Sequence, residues 1–190
     1  MCGFVGFLGS TPFQARGEQQ ALLKRMSDAI IHRGPDDAGG WSDGEHGIAL
    51  GHRRLSIVDL SPAGHQPMAS SGGRYVIVFN GEIYNHALMR KDLEAGAKAP
   101  AWRGHAWRGH SDTETLLAGF DAWGVQGTLE RAIGMFAFAV WDRQAKTLTL
   151  GRDRLGEKPL YYGWQGRGKN AVFLFGSELK ALRAHPAFEH

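Results

Sequence analysis

Cysteine is almost missing from this 190-residue chain, which carries one, at position 2. A single thiol forms no internal disulfide and builds no multi-cysteine zinc site, so neither device can hold this fold. Long apolar runs are missing too. No stretch approaches the roughly 18 residues that a membrane helix needs, and no leader with charged, apolar and small-residue zones is read at the start. Charge of one sign is also scarce. Lys plus Arg number 22 against 19 Asp plus Glu, a formal net charge of +3, and no basic tract concentrates the excess. Charge therefore argues for neither nucleic acid nor a membrane as partner. There is no low-complexity tail and no linker, so residues 2–190 read as one domain.

What is present is a chain able to fold. Hydrophobic residues make up 43%, which excludes disorder, and glycine stands at 27 of 190, about twice the usual ~7%. Gly3-Phe4-Val5-Gly6-Phe7-Leu8 reads as a buried strand. Between Glu18 and Ile31, the residues Leu22, Leu23, Met26, Ala29 and Ile30 recur at helical spacing, and Arg33-Gly34-Pro35 ends that helix. Strands are expected near Gly47–Leu50 and at Tyr75–Phe79, and a helix over Ala87–Leu93. Ser111-Asp112-Thr113-Glu114 has the form of a capping box, with Leu116, Leu117, Phe120 and Trp123 as the buried stripe behind it. Met135–Trp141 and Thr147–Leu150 predict a hairpin. Tyr161-Tyr162 and Val172–Phe175 add strands, and Ser177–Leu182 begins a last helix. Strands in groups, without strict βαβ alternation, predict an α+β layered domain. One pentapeptide occurs twice in succession: Ala101-Trp102-Arg103-Gly104-His105 and Ala106-Trp107-Arg108-Gly109-His110. Five residues are too few for a solenoid repeat, so this is a tandem duplication in a connection.

Several residues could carry chemistry, each with a plainer alternative. Removal of Met1 would give Cys2 a free α-amine, a usable base near neutral pH for its own thiol; a cysteine here could also be incidental. Asn80-Gly81 offers a neutral amide and a backbone N–H, the pair an oxyanion needs, or an ordinary Asn-Gly turn after the strand. Arg53 or Arg54 could grip a carboxylate or lie in solvent. Asp112 could hold an ammonium or serve the helix dipole. His105 and His110 are copies of one repeat position, so metal binding is not expected of them.

Taken together, these segments resemble the glutaminase domain of asparagine synthetase, a class II glutamine amidotransferase. The resemblance runs through Met1-Cys2-Gly3, His32-Arg33-Gly34-Pro35-Asp36-Asp37, Arg54-Leu55-Ser56-Ile57-Val58-Asp59 and Asn80-Gly81-Glu82-Ile83-Tyr84-Asn85. It continues through Ser111–Glu114, Gly134–Phe138, Gly151-Arg152-Asp153, Lys158-Pro159-Leu160-Tyr161-Tyr162 and Ser177–Leu182. It implies the N-terminal nucleophile (Ntn) hydrolase fold, a four-layer αββα sandwich. It implies that Cys2 attacks glutamine to form a γ-glutamyl thioester, with Asn80 and Gly81 stabilising the oxyanion. Arg54 would bind the α-carboxylate, Glu82 and Asp112 the α-ammonium, and Ile57 and Val58 would add backbone contacts. His32–Pro35 would be a turn against the site. The implied partners are L-glutamine and a synthetase domain or chain that receives ammonia, with room for a homodimer; the implied compartment is the cytoplasm. No cofactor is expected in this domain, ATP and Mg belonging to the synthetase half.

The chain departs from the family in two ways. The Ser-Gly-Gly-x-Asp-Ser type loop of the ATP-binding domain is absent, Ser70-Ser71-Gly72-Gly73 lacking the aspartate. The duplication lies just before Asp112, where it could disturb that side chain's approach.

Overall fold

Period-two alternation decides which face of β1 (Gly3–Gly9) each side chain occupies. Phe4 faces a partner sheet, while Val5 and Phe7 pack under helices. The computed structural model describes residues 1–9, 16–56, 62–96 and 106–189. Its other elements are α1 (Arg16–Asp28), β2 (Asp37–Asp43), β3 (Ile48–Arg54), β4 (Met68–Ala69), β5 (Tyr75–Ile83) and α2 (His86–Ala95). They are followed by α3 (Asp112–Leu129), β6 (Gly134–Asp142), β7 (Thr147–Arg152), β8 (Tyr161–Gln165), β9 (Val172–Gly176) and α4 (Leu179–Arg183).

Two antiparallel sheets result, ordered β2-β3-β1-β9-β8 and β4-β5-β6-β7. Phe4, Ile48, Leu50, Val76, Val78, Ala137, Ala139, Trp141 and Phe175 fill the space between them. The opposite face of the first sheet is covered by α1 and α4 through Leu23, Met26, Ile30, Ala181 and Leu182. The opposite face of the second is covered by α2 and α3 through Met89, Leu116, Leu117 and Phe120. That is the four-layer αββα sandwich, an α+β fold. No helix among the described residues is long and apolar enough to cross a membrane.

Several boundaries differ from the sequence reading. The first helix stops at Asp28 rather than near Ile31, because Ile30 N–H bonds Ser27 O, and Arg33 N–H then bonds Ile30 O. That tighter i→i+3 pattern makes Ile31–Arg33 a 3-10 turn. β5 does not end at Phe79 but runs on through Asn80-Gly81-Glu82 to Ile83, paired along its length with β6. The Asn-Gly step is therefore strand, not turn. β2 was not foreseen; Gly39 and Gly40 hide its pattern, and it is an edge strand. The last helix is five residues long, from Leu179. Ser177, expected within it, instead uses its buried hydroxyl to accept Phe4 N–H at 3.0 Å. α3 begins as expected but breaks at Gly124 (φ 72°, ψ 168°), a conformation glycine tolerates best, one residue past the expected stripe.

Candidate active site

Parity gathers the site. β1 and β3 pair Gly3 with Arg53 and Phe4 with His52, so the next step of that register sets Cys2 opposite Arg54. Like Phe4, Ile48 and Leu50, both are even-numbered and share the inter-sheet face. On β5 the same face carries Val76 and Val78, and hence Asn80 and Glu82. Three strands from two sheets thus present Cys2, Arg54, Asn80 and Glu82 at one end of the inter-sheet space. They line a cavity of about 180 Å³ together with Gln66, Gly81, Asp112, Thr113, Met135 and Lys158. Larger surface hollows of about 760 and 920 Å³ contain neither Cys2 nor Asn80.

Cys2 is fixed from both sides. Its Sγ lies 3.4 Å from Leu55 N and 3.5 Å from Leu55 O, so one residue brackets the thiol as donor and acceptor. Its carbonyl accepts Arg33 Nε at 2.9 Å. Arg33 is itself pinned by Glu178 at 3.1 Å, which His32 and Lys180 also approach at 2.9 and 3.2 Å. Partial burial alone would raise the Glu178 carboxyl, but hydrogen bonds from His32, Arg33 and Lys180 outweigh it and bring it down to about 2. The His32–Pro35 turn therefore does lie against the cavity, holding the Cys2 backbone.

Asn80 is 2% exposed, and its Nδ2 has no hydrogen-bond partner among the described residues. A buried donor left unpaired is costly and needs a reason. The direction of the Gly81 N–H follows from the ladder. Phe136, opposite Gly81, exchanges its backbone bonds with the Asp153 side: Asp153 N–H donates to Phe136 O at 2.8 Å, and Phe136 N–H to Asp153 Oδ2 at 3.1 Å. Gly81 and Phe136 are thus a non-hydrogen-bonded pair, and Gly81 N–H turns away from β6. Its neighbours on that side confirm the direction: Phe79 N–H donates to Gln66 Oε1 at 2.7 Å, and Ile83 N–H to Asp112 Oδ2 at 2.9 Å. Gln66 and Asp112 both line the cavity. Two neutral donors, one amide and one backbone, thus belong to residues that line the same cavity as the thiol.

Arg54 is buried at the end of β3, its guanidinium laid against Gly64, where an added Cβ would lie 2.8 Å from the guanidinium carbon. Asp112, 6% exposed, opens α3 behind the Ser111 cap, whose hydroxyl accepts Glu114 N–H at 3.2 Å. Burial pushes the Asp112 carboxyl up, and N–H donors from Ile83 and Thr113 work against that. Glu82 is exposed at the rim. Ile57 and Val58 lie outside the described residues. Sequence reasoning missed Gln66, which orders Phe79, and Lys158, whose Nζ reaches the cavity from the β7–β8 loop. Lys158 stands in a recognised motif that gives it no place in the site, and no pattern points to Gln66; each arrives through tertiary packing.

Only half of the expected capping box forms. Glu114 does not reach back to the cap; it accepts Arg108 N–H at 2.8 Å and Gly109 N–H at 3.1 Å. Those donors belong to the second copy of the duplicated pentapeptide. Arg90 completes the clamp, donating to Gly109 O and Ser111 O, each at 2.9 Å, and to Thr115 Oγ1 at 2.8 Å. Its guanidinium also lies 3.9 Å from the Trp107 ring centroid. Asp112 is held in place despite the duplication, of which residues 101–105, His105 included, lie outside the described residues. Asp43, Glu45 and His46, close enough together to hold a metal ion, line the 760 Å³ hollow instead of the Cys2 cavity.

Residues 1–190 match the profile of a family described as "Glutamine amidotransferase domain". Among curated proteins, the chain is 43% identical over 188 residues to asparagine synthetase [glutamine-hydrolyzing] 3 of Bacillus subtilis, covering 98% of this chain and 28% of that protein. It is 39% identical over 193 residues to a putative asparagine synthetase [glutamine-hydrolyzing] of Mycobacterium tuberculosis, covering 96% of this chain and 28% of that one. The chain thus spans little more than a quarter of these relatives. Among solved structures, the glutamine phosphoribosylpyrophosphate amidotransferase of Bacillus subtilis superposes with a TM-score of 0.74 at 18% identity, over 98% of this chain and 44% of that one. That likeness establishes a shared Ntn-hydrolase fold.

Proposed function

The chain belongs to the glutamine amidotransferase domain family, and from that premise we propose that it releases ammonia from L-glutamine through a thioester on Cys2. Met1 is 59% exposed at the cavity, open to removal. Once it is gone, the Cys2 α-amine takes the thiol proton as Sγ bonds the amide carbon. The carbonyl π pair moves onto oxygen, where Asn80 Nδ2 and Gly81 N–H receive it. The α-ammonium then protonates the amide nitrogen, the C–N bond breaks, and ammonia leaves. Water, deprotonated by the same amine, adds to the thioester; its collapse yields glutamate and restores the thiol.

Recognition uses the two charges of free glutamine. Arg54 takes the α-carboxylate, and Asp112 the α-ammonium with help from Glu82 at the rim. An incoming ammonium also favours the ionised form of Asp112, whose burial otherwise resists it. This division rejects glutamine within a peptide. The reading needs no cofactor in this domain. The names of its relatives support asparagine synthesis as the fate of the ammonia; in this reading ATP and Mg would bind in a synthetase domain or chain. A half-buried free thiol of this kind suits the reducing cytoplasm.

The observation that carries the reading is the unpartnered Asn80 amide beside a Gly81 N–H that turns to the Cys2 cavity. Intact-mass measurement tests the first step and is expected to show loss of Met1. Ammonia release from glutamine is then expected from wild type and not from Cys2→Ala. Retained Met1 in an active protein, or equal release from both, would overturn the mechanism.

A further inference from the structure

Buried charges are normally paired, because an isolated ion gives up hydration worth several kcal/mol. Lys158 breaks that rule. It is 7% exposed and lines the catalytic cavity, yet no carboxylate among the described residues pairs with it. Its Nζ has one polar contact, the sulfur of Met1 at 3.4 Å. The proposed mechanism removes that residue, leaving the ammonium facing the reacting end of the cavity.

The loop that carries Lys158 is braced. Asp153 accepts N–H donors from Leu155, Glu157 and Lys158 at 3.1, 2.9 and 3.1 Å, and from Phe136 across the sheet at 3.1 Å. Arg152 donates to Lys158 O at 2.8 Å and to Gly156 O at 2.7 Å. Phe136 is the partner of Gly81 in the β5–β6 register. The fold thus ties the Lys158 loop to β6, the partner of the strand that carries Asn80 and Gly81.

We propose that Lys158 stabilises the negative charge that develops around Cys2 Sγ and the glutamine γ-oxygen during the reaction. The inference rests on the glutaminase reading for the nature of that charge. The ground state gives Lys158 nothing to bind: glutamine's carboxylate goes to Arg54, and its ammonium occupies Asp112 and Glu82. A cation without a ground-state partner contributes where charge appears only in the transition state, so it acts on kcat more than on KM.

Cys2 is the one cysteine of the chain, so alkylation reports on this site alone. The test compares the rates at which Met1-processed protein reacts with anionic iodoacetate and with neutral iodoacetamide. In Lys158→Met the iodoacetate-to-iodoacetamide ratio is expected to fall about tenfold, the scale of losing one cation from the cavity that holds the sulfur, and Lys158→Arg to restore it. In the glutamine assay, Lys158→Met should lose at least about tenfold in kcat while KM holds within about threefold. An unchanged alkylation ratio in folded Lys158→Met overturns the proposal; should that variant fail to fold, Lys158→Gln is read the same way. Absence of ammonia release from wild type would overturn the glutaminase reading instead, and the alkylation ratio would still decide where the charge acts.

Discussion

At the scale of single residues, stability and the proposed oxyanion role pull Asn80 in opposite directions. A buried amide donor without a partner costs the folded state about 1–3 kcal/mol. The same donor is worth about 2.7–4 kcal/mol to a developing oxyanion, or 10²–10³ in rate. Asn80→Ala is therefore expected to lower kcat for glutamine by about that factor with little change in KM. Its unfolding temperature should be no lower than wild type. Steady-state ammonia release and thermal unfolding on one preparation check both halves. A residue kept for packing would give the reverse pattern. That Cys2, Arg54, Asn80 and Asp112 would gather at one cavity was legible in the sequence, because each sits in a short motif with a chemical reason for its neighbours. Lys158 was not, since its motif gave no sign that a loop braced by Asp153 would carry its ammonium into the cavity. The exposure of Glu82 was equally hidden, because residue type cannot say how far along a strand the rim lies.

Among the elements, α3 and the connection before it show how a helix start can be built from outside the helix. Glu114 gives its carboxylate to Arg108 and Gly109 instead of closing the capping box, and Arg90 of α2 ties the same segment to Ser111 and Thr115. Arg90 and Glu114 lie 3.6 Å apart with 14% and 4% of their side chains exposed. Removing one partner of so buried a pair typically costs about 3–5 kcal/mol. Arg90→Ala is expected to lose about 3 kcal/mol of folding stability and, by loosening Asp112, to raise KM for glutamine more than it lowers kcat. Denaturant unfolding and a kcat/KM split measure the two. Sequence reading placed α3 correctly because its cap and apolar stripe are local signals. It stopped β5 at Phe79 because Asn-Gly resembles a turn, whereas nine pairings with β6, from Tyr75 to Ile83, hold that step extended. Tertiary pairing overrode a local preference, and the site depends on it.

For the whole molecule, the largely apolar layer between the sheets also carries the His52 ring. That ring is buried and donates Nε2–H to Phe79 O at 3.0 Å, a bond from the first sheet to the second. Burial drives its ionisation down to about 4 from an ordinary 6.5, and His185, also buried, falls to about 4. The unfolded chain then takes up protons near pH 6.5 that the folded chain refuses until about 4, so the stability these residues contribute is full above 6.5 and lost as pH falls through that window. The unfolding temperature should decline from pH 6.5 to 4, and less steeply in His52→Gln. A His52→Gln slope equal to that of wild type would place the titration elsewhere.

The parity that assembles the site also restricts how the chain can change length. Cys2, Arg54, Asn80 and Glu82 meet because β1, β3 and β5 keep count in twos. One residue added within any of these strands turns everything beyond it to the other face, trading nucleophile or oxyanion donor for core. An odd-numbered change is harmless only where no strand is counting. The five-residue duplication at Ala101–His110 lies in sequence between α2 and α3, outside β1, β3 and β5, and the copy nearer α3 keeps the contacts that seat Asp112. Lengths that differ between α2 and α3 but agree within the strands are the mark this geometry should leave on any set of functional relatives.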